Sequence, residues 1–324
     1  MITRRKFAGA MMGVSIAGVA SVAGVASAAF SSGDAWGKQA ESVKRTRAAV
    51  QREQFAKADA IRARLKQIEA ESGGRLGVSI VDTASGLHAG LHADERFPMC
   101  STFKVLAAAA ILARVDRREE DLQRRIVYSQ SELVSNSPAT SKHTRERTGN
   151  AGMSVAELCK AAITLSDNTA ANLLLASFGG PAALTAFARS LGDGITRLDR
   201  NEPTLNEATP GDPRDTTTPN AMLGNLRELV LGERLASSSR AQLLAWLAAN
   251  ETGGARIRAK LPKDWGVGDK TGTGDHGTAN DVAILWPPGR GPILVAVYLT
   301  GTAGNAARCN AAIANVGALV AESV

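Results

Sequence analysis

The chain holds little of what metal and nucleic-acid chemistry needs. Its 324 residues include four histidines (His88, His92, His143, His276) and three cysteines (Cys100, Cys159, Cys309), and only His88/His92 approach a ligand-like spacing. That pair flanks Gly90, read as the turn of a hairpin, where a surface role fits better than zinc, so neither metal nor cofactor is expected. An odd cysteine count excludes complete pairing into bridges and leaves at least one free thiol. The net charge is +7, yet no dense basic stripe or known module accompanies it, which argues against a nucleic-acid partner. There is no internal repeat. Beyond residue 30 no second apolar run is long enough to hold the chain in a membrane.

What is present is the composition of a globular protein, 44% hydrophobic and 21% charged, sufficient for one large or two smaller domains. The first residues carry Arg4 and Arg5, an uncharged Gly/Ala-rich run and then Ala26-Ser27-Ala28. This reads as a twin-arginine export signal over residues 1–28, with the export machinery as a partner and removal after Ala28. The alternative is a membrane anchor, because the uncharged run over 8–30 can span a bilayer. Cleavage removes Arg4, Arg5 and Lys6 and no acid, and delivers a monomer to the periplasm or, alternatively, the medium. Residues 29–52 mix both charge signs and are expected to fray as an exposed lead-in.

Helical spacing of apolar residues covers 55–71, and alternation around Ser85-Gly86 marks a hairpin. The middle, from Cys100 to about Asn250, is mainly helical. Strand-like runs return at 265–274, 278–287 and 293–301, before a closing helix over 306–321. Strands at both ends around a helical middle imply a mixed α/β fold, its antiparallel sheet built from both termini with flanking helices. The expected domains are α/β over 53–92 with 249–324 and all-helical over 93–248, with the active site between them.

In "STFK" Ser101 and Lys104 lie three residues apart at the start of an alanine-rich run. The spacing alone allows a helix cap beside a surface charge, or a nucleophile beside its base. Two further tripeptides bear on this: "SDN" (Ser166, Asp167, Asn168) in the helical middle and "KTG" (Lys270, Thr271, Gly272) in a predicted strand. With "RFPMCSTFK", "LSDNTAANLLL", "RLDRNEPTLNEA", "DPRDTTTP" and "GDKTGTGDHGTANDVAILWP", nearly all of the chain after the signal resembles the class A β-lactamases, within the wider group of penicillin-recognising serine enzymes.

Attack on an amide carbonyl needs an activated hydroxyl, a base, a proton donor for the leaving nitrogen and oriented N–H groups for the oxyanion. The resemblance makes Ser101, at a helix N-terminus, the nucleophile. Either Lys104 or Glu202 through water is its base, and Lys104 can serve only if burial or a cation such as Lys270 lowers its pKa. Ser166 relays a proton to the departing nitrogen, and Asn168 holds the substrate's side-chain amide. The backbone N–H groups of Ser101 and Thr273 form the oxyanion hole. Glu202 and Asn206 position the water that releases the acyl group, on a loop braced by Arg200 and Asp215 and turned by a cis Glu202–Pro203 bond. The bare E-x-x-x-N spacing recurs at Glu132/Asn136 and Glu146/Asn150, so the flanking residues make it specific.

Thr271, Gly272 and Thr273 line the binding strand. Many relatives place an arginine where this chain has Ala279, so Arg256 is expected to supply the cation for the substrate carboxylate; otherwise it is a solvated surface charge. Three departures stand out. The position that bridges Cys100 in some relatives is Gly274 here, the position that bridges Cys159 in others is Ala108, and Asn136 replaces an aromatic rim residue. The implied function is hydrolysis of penicillins and, with Thr273, of cephalosporins. A transpeptidase or carboxypeptidase and a penicillin sensor share the three motifs, but lack a water-activating glutamate such as Glu202.

Overall fold

The computed structural model describes residues 32–324, so the signal expected over 1–28 lies outside the described residues. The chain divides into a unit ending at Val50 and a unit of Gln51–Val324. Helix α1 (Ser32–Ser72) starts well before the expected position. The lead-in over 29–52 is therefore helical from Ser32 on rather than frayed. From Lys38 to Ser72 the sequence has neither Gly nor Pro and is rich in Ala, Lys, Arg, Glu and Gln, which are strong helix formers. Within the second unit α1 buries Ala58, Ile61, Leu65 and Ile68, one stripe at helical spacing.

Strand β1 (Arg75–Asp82) turns back through Gly86, at φ +74°, into β2 (His88–Leu91). A positive φ costs glycine no steric penalty, which fits the Ser85-Gly86 turn. Gly90, in contrast, lies inside β2 opposite Ser79 and is not a turn. His92 follows the strand and bonds with Glu69 and Glu95. A two-residue strand β3 (Phe97–Pro98) leads through the 3-10 turn Cys100–Phe103 into α2 (Lys104–Asp116).

The helical layer continues with α3 (Arg145–Thr148), α4 (Val155–Thr164), α5 (Asn168–Phe178), α6 (Gly180–Ser190), α7 (Pro219–Val230) and α8 (Ser237–Ala248). Within it, β4 (Arg125–Ile126) pairs with β5 (Met153–Ser154), and β3 pairs with β6 (Thr216–Thr217). These four two-residue strands carry no alternation long enough to read in a sequence. The chain closes with β7 (Gly266–Gly274), β8 (Thr278–Trp286), β9 (Ile293–Thr300) and α9 (Ala306–Glu322).

The sheet runs β2-β1-β9-β8-β7, every neighbouring pair antiparallel, so the first and last parts of the unit do build one sheet. Its central strand shows why both faces must be covered. Along β9, Leu294, Ala296 and Tyr298 enter the core under the helical layer. Ile293, Val295, Val297 and Leu299 enter the core under α1 and α9. A strand with no polar face reads as a continuous apolar run and lies buried on both sides. Helix α2 is apolar all round, with residues from Lys104 to Ala113 buried, because α4, α5, α6 and α8 surround it.

Ile313, fully buried on α9, belongs to the core on the face of the sheet away from the helical layer. Ile313→Ala is expected to cost about 2–5 kcal/mol in urea unfolding through the lost transfer energy and the cavity.

Candidate active site

Three segments converge on Ser101. The first is its own turn. Ser101 sits in a 3-10 turn rather than in the α-helix, and Lys104 is the first residue of α2. Residues three apart eclipse in a 3-10 turn, so both side chains face one cleft. The preceding Cys100 has φ +44°, left-handed and strained for a non-glycine residue.

The second segment is the loop between α4 and α5. Ser166 is at φ +56°. Asp167 caps α5 by accepting from Ala170 N at 2.8 Å, and it also accepts from the Ala139 and Thr140 amides at 2.9 Å. This buried carboxylate holds the loop so that Ser166 and Asn168 face the cleft. Asn136 lacks an aromatic ring but is not idle, since it donates from Nδ2 to Ser166 O at 2.9 Å.

The third is the loop over 197–215. Arg200 Nε lies 2.6 Å from Asp215 Oδ2, and Asp215 also accepts from the Asp199 and Arg200 amides at 2.7 and 2.9 Å. Met99 N donates to Asp215 O at 2.9 Å, tying the loop's foot to the segment that leads into Ser101. The Glu202–Pro203 bond is cis. Asn172, on α5 one turn after Asn168, donates to Glu202 O and accepts from Glu202 N, both at 2.9 Å. Its i,i+4 spacing from Asn168 was the signal for it in the sequence.

These segments bring Glu202 to Ser101. Ser101 Oγ donates to Glu202 Oε1 at 3.0 Å, Lys104 Nζ lies 2.9 Å from the same oxygen, and Asn206 Nδ2 donates to Oε2. Lys104 gives its other bonds to Ser166 O at 2.9 Å and Asn168 Oδ1 at 2.6 Å. Asn168 Nδ2 donates to Ser135 O at 2.9 Å. Lys270 Nζ, on β7, donates to Ser166 Oγ at 3.0 Å, and Lys104 approaches that hydroxyl at 3.4 Å.

Burial lowers the pKa of Lys104, opposed by Glu202. Burial, and after it the Lys104 charge, drives Lys270 well below the ordinary lysine value.

The cleft, about 380 Å³, is lined by Ser101, Asn136, Ser166, Asn168, Asn206, Thr252, Arg256, Thr271, Gly272 and Thr273. Arg256 is not a solvated surface charge, being only 8% exposed. Its Nη1 donates to Gly272 O and Asn280 O at 2.7 Å, its Nη2 to Thr273 Oγ1 at 2.6 Å and its Nε to Asn310 Oδ1 at 3.0 Å. Thr252 Oγ1 and Thr271 Oγ1 are also hydrogen-bonded. All three cysteines are free and buried. A Cβ at Gly274 would lie 2.7 Å from Cys100 Sγ, so the two positions adjoin and the glycine leaves the thiol alone.

With this geometry in view, the relatives are informative. The family model of the β-lactamase enzyme family matches residues 60–324. β-Lactamase CTX-M-8 of Citrobacter amalonaticus is 51% identical over 246 residues, 76% of this chain and 83% of that protein. β-Lactamase Toho-1 of Escherichia coli is 52% identical over 245 residues, 76% and 82% of the two chains. The chain belongs to the class A β-lactamases. Among solved structures, an ancestral (GNCA) class A β-lactamase shares 61% identity at a TM-score of 0.79, covering 82% of this chain and all of that one. The protein is accordingly an enzyme that hydrolyses β-lactams.

Sequence reading missed one polar cluster of this β-lactamase. Behind β7, on the face opposite Lys270, Asp269 accepts from Asn250 Nδ2 at 2.6 Å and pairs with Arg258. Asp281 of β8, fully buried, lies beside Asp269. Its Oδ2 accepts from Ile257 N at 3.2 Å, and its Oδ1 has no donor. Burial first, then the Asp269 charge, raises the Asp281 carboxyl well above the carboxylate range.

Two outcomes are expected. Arg200→Ala leaves Asp215, 1% exposed, without its cation; breaking a buried pair costs about 3–5 kcal/mol, measurable as a lower urea midpoint. For Asp281, a raised folded pKa means its stabilising contribution is full below the unfolded value, about 4, and is lost as pH rises toward the folded one. Asp281→Asn keeps the neutral shape, so it should match wild type near pH 4 and gain on it in urea unfolding as the pH is raised from there.

Proposed function

We propose that this β-lactamase works through a serine acyl-enzyme on penicillins and cephalosporins, with Ser101 as nucleophile and Glu202 as the base of deacylation. The observation that carries the reading is the bond from Ser101 Oγ to Glu202 Oε1 at 3.0 Å, beside Asn206. In acylation, Ser101 Oγ attacks the lactam carbonyl and its proton passes to the Glu202 carboxylate, or to Lys104 in the neutral form it takes once it has given its own proton to Glu202. The oxyanion is held by the backbone N–H groups of Ser101 and Thr273. The C–N bond then breaks, the ring nitrogen takes the hydroxyl proton of Ser166, Lys104 replaces that proton, and Glu202 hands its proton to Lys104 and returns to carboxylate, with the Lys270 ammonium beside the same hydroxyl.

In deacylation Glu202 removes a proton from water as it attacks the ester carbon, and Ser101 leaves with a proton. Asn206 Oδ1 is a buried acceptor without a protein donor, suited to orient that water. Asn168 takes the substrate's side-chain amide. Thr271, Thr273 and Arg256 meet its carboxylate, with Gly272 leaving the strand clear, and Arg256 acts largely through Thr273. No step calls for a metal or cofactor.

The same reading makes the enzyme an exported monomer, processed after Ala28 and acting in the periplasm or, alternatively, outside the cell. Its α/β part comprises 53–92 with 249–324 and its helical part 93–248, the cleft lying between them. Glu202 argues against the transpeptidase and sensor alternatives, which transfer or retain the acyl group. Ser101→Ala should give no adduct with a penicillin in intact-protein mass spectrometry. Glu202→Gln should accumulate one, releasing it about 10²- to 10⁴-fold more slowly than wild type, the usual worth of general-base catalysis. Rapid release from Glu202→Gln would remove Glu202 from the deacylation step.

A further inference from the structure

The loop over 197–215 has a second face, away from Ser101. Behind it lies a cleft of about 500 Å³, walled by the loop's return arm at 208–213, by Pro98 of β3, and by the turns at Gly74 and Gly301. That volume is within the roughly 300–1,000 Å³ of small-molecule sites, and none of its lining residues belongs to the hydrolytic cleft. Its apolar surface comes from Pro98, Ala208, Pro210 and Pro213, and its cations are Arg75 and Arg96.

The two arginines differ in what remains free. Arg75 is engaged: Nη1 donates to Glu95 at 2.9 Å and Nη2 to Arg96 O at 2.7 Å, with the guanidinium 3.8 Å above the Phe97 ring. Arg96 donates only from Nη1, to Ile195 O and Thr216 Oγ1, both at 3.0 Å. Among the described residues no carboxylate pairs with it. The acids in the lining are committed elsewhere, Glu69 to Leu76 N and His92, and Asp212 to Arg214. A guanidinium with a free edge at the rim of an apolar cleft matches a carboxylate, which it can hold with two parallel bonds.

We propose that this cleft is a second binding site, for a small amphipathic carboxylate whose apolar body lies on the prolines and whose anion meets Arg96. The site adjoins both arms of the catalytic machinery. Pro98 pairs with Thr216 and precedes Ser101 by three residues, and Ala208 follows Asn206 by two. An occupant therefore bridges the segment that carries the nucleophile and the loop that carries the base, and stiffens that loop.

The test uses 2-naphthoate as the probe and 2-naphthamide as its uncharged counterpart. Binding of 2-naphthoate should shift the backbone amide resonances of Ala208, Thr209, Gly211 and Asp212 and of Gly74 and Arg75, and slow hydrogen exchange at the same four loop amides. The amide should bind about tenfold more weakly, the usual worth of a charge-assisted bond. Arg96→Met should weaken 2-naphthoate by a similar factor. Thr209→Trp, which fills the cleft without touching the bonds of Arg96, should abolish the shifts and stands in if Arg96→Met does not fold. Shifts confined to the Ser101 cleft, equal affinity for acid and amide, or full binding by Thr209→Trp would overturn the proposal.

Discussion

The ion pair of Lys104 and Glu202 is the constraint to which the rest of the site conforms. Both side chains are fully shielded from solvent and 2.9 Å apart. Taking two charges out of water costs several kcal/mol per ion, repaid only when the geometry is good and the remaining donors and acceptors are satisfied. Lys104 therefore needs Ser166 O and Asn168 Oδ1, and Glu202 needs Ser101 Oγ and Asn206 Nδ2. Together these groups come from all three segments, so satisfying one pair of charges assembles the whole constellation.

That assembly strains the backbone at the points where it matters. Cys100 and Ser166 both take positive φ, at a cost of about 1–3 kcal/mol each for non-glycine residues. Each is held from outside. The carbonyl of Ser166 accepts from Lys104 and Asn136, and Met99, just before Cys100, is tied to Asp215 O. The same Asp215 anchors the loop through Arg200, so Ser101 and Glu202 share one support.

The sheet divides its chemistry by the alternation of β7. Lys270 points to Ser166, whereas Asp269 points to Arg258 and Asp281 on the other side. Arg256 links the two strands, since its Nη1 donates both to Gly272 O of β7 and to Asn280 O of β8. Its substitution would loosen the strand as well as remove a charge, so its effects on binding and on stability cannot be taken as separate.

Much of this was legible in the chain. The apolar run of β9, the helical stripe of α1 and the Ser85-Gly86 turn determine their elements locally, because burial on two faces, burial on one stripe and a positive φ each leave a pattern of their own. The motifs around Ser101, Ser166, Glu202 and Lys270 pointed, through the family resemblance they carry, to groups that the fold brings to one cleft. Tertiary structure alone decided what those groups touch. The burial of Arg256, the meeting of Asp281 with Asp269, and the bond of Ser101 to Glu202 rather than to Lys104 all join residues distant in sequence or turned by a 3-10 geometry that no periodicity announces. Local pattern reports how each residue is disposed toward water; partners across the cleft are set by the requirement that every buried charge find its counterpart, which only the folded chain can meet.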